Sequence, residues 1–230
     1  MHEREKMDGA AIWGDATLSD KNDNQNIHPS INFIKLIAGD EPVTFLTLDD
    51  RKSSAGKDKS LTKELHGHLN DHLTSLIEVN ERGAGIFYTV NQTDLRGRKQ
   101  ANIKKVRAVF VDLDGSPLEP VLNACLPPHL IVESSPGRFH AYWRVINLDL
   151  SHFKMVQKAL ASRFNGDSAV CDLSRTMRLP GFFHQKEGRF LTKIIQSTDL
   201  THYEASTFLE AFGIDLNGGK EAIKSQSKGV

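Results

Sequence analysis

The chain has little sulfur to work with. Its two cysteines among 230 residues, Cys125 and Cys171, show no metal-ligand spacing and sit among apolar neighbours. A disulfide framework and a thiolate zinc site are thereby excluded, and two buried thiols in a reducing cytosol are expected. No apolar run approaches the roughly 18 residues that span a bilayer, so no membrane partner is expected. The first 30 residues are polar and carry acids, unlike a signal peptide, which points to a cytoplasmic protein. Charge of one sign is missing too: 29 Lys and Arg balance 29 Asp and Glu. A bulk-basic nucleic-acid coat is excluded, and any affinity for nucleic acid must come from local patches. There is no internal repeat.

What is present describes a globular protein, with 39% apolar and 25% charged residues. Residues 1–30 and 214–230 read as flexible polar tails around a single domain over 31–213. Order should begin with a short apolar segment at Phe33, Ile34, Leu36 and Ile37. Val43 to Leu48 is rich in β-formers and predicts a strand. Leu61, Leu65, Leu69, Leu73, Leu76 and Ile77 recur at three- and four-residue spacing. They predict one amphipathic helix capped by Ser60 and stopping near Gly83. Strands follow at 86–91, 106–112, 129–133 and 140–146, the last two forming a hairpin through Pro136-Gly137. A helix capped by Ser151 buries Phe153, Val156, Leu160 and Phe164 and stops at Asn165-Gly166. A strand over 189–196 and a last helix opening with a Thr201–Glu204 capping box complete the chain. Several links are too short for parallel crossovers. An α+β fold with a mixed or antiparallel sheet and flanking helices is expected.

Three clusters carry chemistry. In the first, the apolar run from Val106 ends in Asp112-Leu-Asp114-Gly115. Alternation along a strand projects both carboxylates to one side, where two hard oxygen donors suit Mg²⁺ or Mn²⁺. Solvated aspartates at a strand end are the plain alternative. The second is the small-residue turn Ser134-Ser135-Pro-Gly-Arg138-Phe-His140. Its backbone N–H groups, guanidinium and imidazole suit a polyphosphate, if it is not an ordinary β-turn. In the third, Asp167 and Asp172 precede Arg175 and Arg178, which are neighbours if the segment is helical; His184 and Lys186 follow. An Asp–Arg ion pair would explain this segment equally simply. A basic stretch of Arg96, Arg98, Lys99, Lys104 and Lys105 suits a nucleic-acid backbone or a solvated loop.

Taken in order, these clusters make the chain resemble the archaeo-eukaryotic primase superfamily, especially plasmid RepB-type and prophage primase domains, over about Ile31 to Phe212. The carrying motifs are Val109-Phe-Val-Asp112-Leu-Asp114, the turn from Ser134 to His140, and Asp167 with Arg175 and Arg178. The resemblance implies an RRM-like primase-polymerase core. Asp112, Asp114 and Asp167 would hold one or two divalent cations, with Asp172 competing for the third position. His140, Ser134, Ser135 and Arg138 would hold the incoming NTP or dNTP, and Arg175, Arg178 and Lys186 would contact phosphates. The activity implied is template-directed nucleotidyl transfer on single-stranded DNA in plasmid or phage replication. The chain has no Gly-x₄-Gly-Lys-Ser/Thr loop, so a replicative helicase would be a separate partner. Two rivals stand beside this reading. A haloacid dehalogenase-type phosphatase would use Asp112 as nucleophile and Asp114 as acid/base. Ser116 at the usual Thr or Val position and the lack of an acidic pair after Lys186 count against it. A non-catalytic origin-binding module would have no use for crowded carboxylates where DNA must approach.

Overall fold

The computed structural model describes residues 27–52 and 56–216. Most of the two expected tails lies outside the described residues. Pro29 sits in the first turn of helix α1 (Pro29–Ala38), where a missing N–H costs nothing. Phe33, Ile34 and Ile37 form its buried stripe. Strand β1 (Val43–Asp49) follows, then a 3₁₀ turn, β2 (Lys63–Gly67), α2 (Leu69–Glu81) and β3 (Ala84–Thr89). Here the expected helix from Ser60 is corrected. Leu61 and Leu65 match helical spacing, but residues 63–67 pair antiparallel with β1 from Val43↔Gly67 to Thr47↔Lys63, and the helix starts only at Leu69.

The polar link of 92–105 is a small hairpin of β4 (Gln92–Thr93) and β5 (Ile103–Lys105), leading into β6 (Ala108–Asp112). After α3 (Glu119–Leu122) come the hairpin strands β7 (Leu130–Ser135) and β8 (Arg138–Ile146), then α4 (Leu150–Phe164). Asp149, not Ser151, caps α4, its carboxylate accepting from the Ser151 N–H at 2.7 Å. The segment bearing the two arginines is extended, not helical: β9 (Thr176–Arg178) pairs with β3. Short strands β10 (Phe183–His184) and β11 (Phe190–Leu191) form a ribbon, followed by β12 (Lys193–Ser197), β13 (Tyr203–Glu204) and α5 (Ala205–Phe212). Glu204 stands at the N-cap of α5 without a side-chain cap bond, so the expected capping box does not form. Cys171 is buried, but Cys125 is exposed in the loop after α3, its thiol donating to the Ala211 carbonyl.

The result is α+β. One antiparallel sheet runs β2-β1-β3-β9. The other runs β12-β7-β8-β6, with β13 added parallel to the far end of β8. Phe33 of α1 packs edge-on against Tyr88 of the first sheet and Tyr142 of the second, with ring centroids 5.2 and 5.8 Å apart. On the opposite face of β8, fully buried Trp143 stacks on Phe164 of α4 and meets Phe208 and Phe212 of α5. Alternation along β8 therefore feeds two cores, even positions toward the first sheet and odd positions toward the helices. The outer edge of β6 is not left open. Gln157 of α4 accepts from the Phe110 N–H at 2.9 Å, satisfying a ladder group that has no neighbouring strand, and donates to the carbonyl of Val170 in the loop after α4. Among the described residues no helix is long and apolar enough to cross a membrane.

Candidate active site

The site forms where β6 ends. Asp112 is the last residue of that strand and faces His140 in register on β8. The His140 Nε2 lies 3.7 Å from the Asp112 carboxylate. Asp114 is not on the strand, as simple alternation expects. It turns out of it with φ of 40°, and its N–H donates to Asp112 Oδ1 at 3.2 Å. Asp167 arrives from the end of α4. Asn165 takes the left-handed conformation that ends the helix, and the Asp167 N–H donates to the Asp112 carbonyl at 2.8 Å. Only glycine fits between them: a Cβ on Gly166 would stand 2.4 Å from Val111 Cγ2 and 2.8 Å from the Asp112 carbonyl oxygen. Ser116 and Asn165 tie the two loops together, the Ser116 hydroxyl donating to the Asn165 carbonyl at 2.6 Å.

Electrostatics mark Asp112 as the strained member. Burial pushes its carboxyl up to about 6, helped by the negative charges of Asp114 and Asp167 against the Asp114 N–H and a distant Arg175. Burial, with the charge of Arg178, holds His140 down to about 3, so its imidazole is neutral. Asp114 forms a half-exposed ion pair with Arg138. Asp172 does not join the group; it pairs with Arg175 at 2.7 Å and accepts from Ser174.

Arg138 also lines a cavity of about 450 Å³ together with Ser135, His184, Lys186, Arg189 and Phe190. Ser134 is buried next to it, its hydroxyl donating to the Arg138 carbonyl. Arg178 is placed differently from the other expected phosphate contacts. It forms a two-point ion pair with Asp50 at 2.8 and 2.9 Å and lies over the Phe87 ring. The basic hairpin stands at the opposite end of β6, about 16 Å of strand away from the carboxylates. There Arg98 pairs with Glu64, and Arg96, Lys99, Lys104 and Lys105 are exposed.

Comparison with known proteins decides the family. The family model described as RepB DNA-primase N-terminal domain matches residues 91–211, over half of the chain. The chain belongs to that family. It is a DNA primase domain, as the order of its motifs led one to expect. No curated protein matches the chain in sequence. Among solved structures, the primase domain is similar to the AEP domain of the cyanophage S-2L primase-polymerase at 21% identity and a TM-score of 0.64, covering 80% of this chain and 96% of that one. It is also similar to the catalytic domain of the primase RepB′, solved in complex with initiator DNA. There the identity is 17% and the TM-score 0.61, over 88% of this chain and 97% of that one. A second RepB′ structure gives 20% identity and 0.60, over 87% and 65% of the respective chains. At these identities the likeness is one of fold, an α+β primase core.

The donor chemistry at the end of β6 suits a hard divalent cation: three carboxylates, one of them raised by burial and by its neighbours' charge. As the side chains stand, no group of three His, Cys, Asp or Glu residues among those described is gathered closely enough to hold a metal ion. Arg138 engages Asp114, and the Ala169 N–H donates to Asp167. Asp50, Arg189 and Phe190 escaped the sequence reading. Asp50 had a signal, because Asp49-Asp50-Arg51 tips an apolar strand much as Asp112-Leu-Asp114 does.

Proposed function

We propose that the primase domain performs metal-assisted, template-directed nucleotidyl transfer at Asp112, Asp114 and Asp167, making or extending primers on single-stranded DNA. One observation carries the reading: the raised carboxyl of Asp112 lies beside the charges of Asp114 and Asp167, and Arg138, the ion-pair partner of Asp114, also lines a cavity with Lys186, Arg189 and Glu187. Mg²⁺ or Mn²⁺ bound there would polarise the transferring phosphoryl group and lower the charge on the leaving pyrophosphate.

The chain's own residues do the rest. Asp112, Asp114 and Asp167 would hold the cation once Arg138 leaves Asp114. Released, Arg138 turns to the triphosphate of an NTP or dNTP, joined by Lys186 and Arg189 from the β10–β11 ribbon, while Ser134 and Ser135 shape the turn. Neutral His140 offers an N–H to a phosphate oxygen without adding charge. Arg175 lends positive potential to the carboxylates from a distance. Arg178, tied to Asp50, fixes the wall behind His140 and His184. The exposed Arg96, Lys99, Lys104 and Lys105, with Arg98, track the template backbone on its way to the site. A relative of the same fold solved with initiator DNA supports a nucleic-acid partner, and a separate helicase would supply the single strand.

The test is primer synthesis and extension on single-stranded DNA with labelled NTPs and dNTPs, in Mg²⁺ and in Mn²⁺. Activity should fall at least about 100-fold in Asp112→Ala and Asp114→Ala, the scale of losing a group that stabilises the transition state. Unchanged synthesis in either variant, or hydrolysis of simple phosphate esters in place of synthesis, overturns the proposal.

A further inference from the structure

The end of the second sheet remote from the carboxylates holds a smaller cavity, of about 190 Å³. It lies between the C-terminus of α1 and the paired ends of β6 and β8, where Ala108 faces Arg144. Lys105, Arg107, Arg144 and His202 line it, and Glu41 is the one acid in its wall. That acid is already engaged, because its carboxylate accepts from Arg107 Nε and Nη2 at 3.2 and 3.0 Å. Arg144 is left without such a partner among the described residues. Its guanidinium lies against the His202 ring at 3.2 and 3.4 Å, and Asp199 acts on it only from a distance. Burial, with the charges of Arg144 and Lys105, holds His202 below its ordinary value. Three basic groups thus converge on a concave surface, and a half-buried guanidinium stands there without a counter-charge, an arrangement an anion would complete.

The arrangement is held from behind. The Arg144 N–H donates to His129 Nδ1 at 3.1 Å, so the His129 proton sits on Nε2, which donates to the Thr201 carbonyl at 3.0 Å. Buried His129 thereby ties the residue before His202 to β8, and Tyr203 after it pairs in parallel with Val145. His202 is fixed beside Arg144 from both sides. The cavity is smaller than the roughly 300 Å³ at which pockets for whole small molecules begin, and it suits a group of a few heavy atoms. Its position suggests which group. Lys105 ends β5 and so belongs both to the basic hairpin and to the cavity. Arg144 leaves the same face of β8 as His140, four residues and about 13 Å along, a distance that about four stacked nucleotides cover.

We propose that this cavity seats one backbone phosphate of the single-stranded DNA, with Arg144, Lys105 and His202 donating to its oxygens. The guanidinium fork supplies two parallel donors to a phosphate, and Lys105 and His202 close on it from the sides. The proposal rests on the reading of the chain as a template-directed enzyme, and it adds an anchor for the strand at the far end of β8 from the chemistry.

The experiment is fluorescence anisotropy of a labelled single-stranded oligonucleotide on the full chain, in EDTA, across a series of NaCl concentrations. Arg144→Gln should raise Kd about tenfold and flatten the slope of log affinity against log salt by about 0.7, the share of one phosphate on a single strand. His202→Ala, a change at an exposed side chain, should raise Kd about threefold and keeps the test open should Arg144→Gln fail to fold. The double variant should lose less than the product of the two, because both act on one phosphate. Lys158→Gln removes an exposed charge on α4 and should change neither quantity. Wild-type affinity and slope in a folded Arg144→Gln overturn the proposal, as do wild-type affinity in His202→Ala, a double variant that loses the full product, or an equal loss in Lys158→Gln. Inorganic phosphate, the other source of the same chemistry, is tested by NMR of histidine-labelled chain. His202 signals that move with inorganic phosphate and not with the oligonucleotide overturn the assignment to the strand. A chain that binds DNA with these dependences but makes no primers refutes the proposed function and leaves the seat standing. Primer synthesis by a chain whose Arg144→Gln variant binds DNA as wild type does the reverse.

Discussion

Asp112→Asn should stabilise the metal-free protein while ending primer synthesis. Burial is the main reason the Asp112 carboxyl rises from 3.8 to about 6, with the charges of Asp114 and Asp167 adding to it. A carboxyl raised by about two units disfavours its ionised form in the fold by about 3 kcal/mol. Solvent reaches part of the group, the side chain being 24% exposed, so a gain of about 1.5–3 kcal/mol is expected. The sign follows from the direction of the shift. Below pH 3.8 both folded and unfolded chains hold the proton and the penalty is absent. Between 3.8 and about 6 the unfolded chain releases it while the fold keeps it, and the penalty grows. Above about 6 it is complete. Urea unfolding in EDTA at pH 4.5, 5.5, 6.5 and 7.5 should therefore show an advantage for Asp112→Asn that is small at the acid end and levels off near neutrality. Added Mg²⁺ should raise the wild-type midpoint more than that of the variant, because a ligand stabilises only the fold that binds it. A variant less stable than wild type at pH 7.5, or an advantage independent of pH, would refute the reasoning.

Gly166→Ala places a methyl group against a backbone carbonyl that cannot yield, and should cost about 1–3 kcal/mol in chemical denaturation. The same variant should weaken Mn²⁺ binding, read by electron paramagnetic resonance, by moving Asp167. Asp50→Asn strips the buried Arg178 of its counter-charge and should cost about 3–5 kcal/mol at pH 7. Burial alone would raise the Asp50 carboxyl, but the bonds and charge of Arg178 outweigh it and hold it below the ordinary range. Its contribution is present above pH 3.8 and fades as acid protonates it, so the gap to wild type should narrow in acid unfolding. Gln157→Ala leaves the Phe110 N–H and the Val170 carbonyl without partners. A loss of about 1–3 kcal/mol is expected, with faster hydrogen exchange at Phe110 as its local signature.

Local pattern made β6, β7, β8 and α4 legible, because their alternation or 3.6-residue period is complete within the segment and each ends on a clear stop. Residues 63–67 were not legible for the opposite reason. Leu61, Leu65 and Leu69 satisfy a helix and a strand alike, and only pairing with β1, some twenty residues earlier, decides between them. The site divides along the same line. Two apolar strands, one in each sheet, end in an aspartate beside further charge: β1 at Asp49-Asp50 and β6 at Asp112. In sequence they are the same signal. In the fold, β9 carries Arg178 to Asp50, and that carboxyl sits below its ordinary range as part of the frame. Asp112 receives no bonded Arg or Lys among the described residues. It receives instead a neutral imidazole and the charges of two more carboxylates, and it rises to about 6. What separates the acid held below its ordinary range from the one raised above it is whether the fold delivers a guanidinium to it. That delivery is made by partners 128 positions apart in the first case, a separation no local pattern can report.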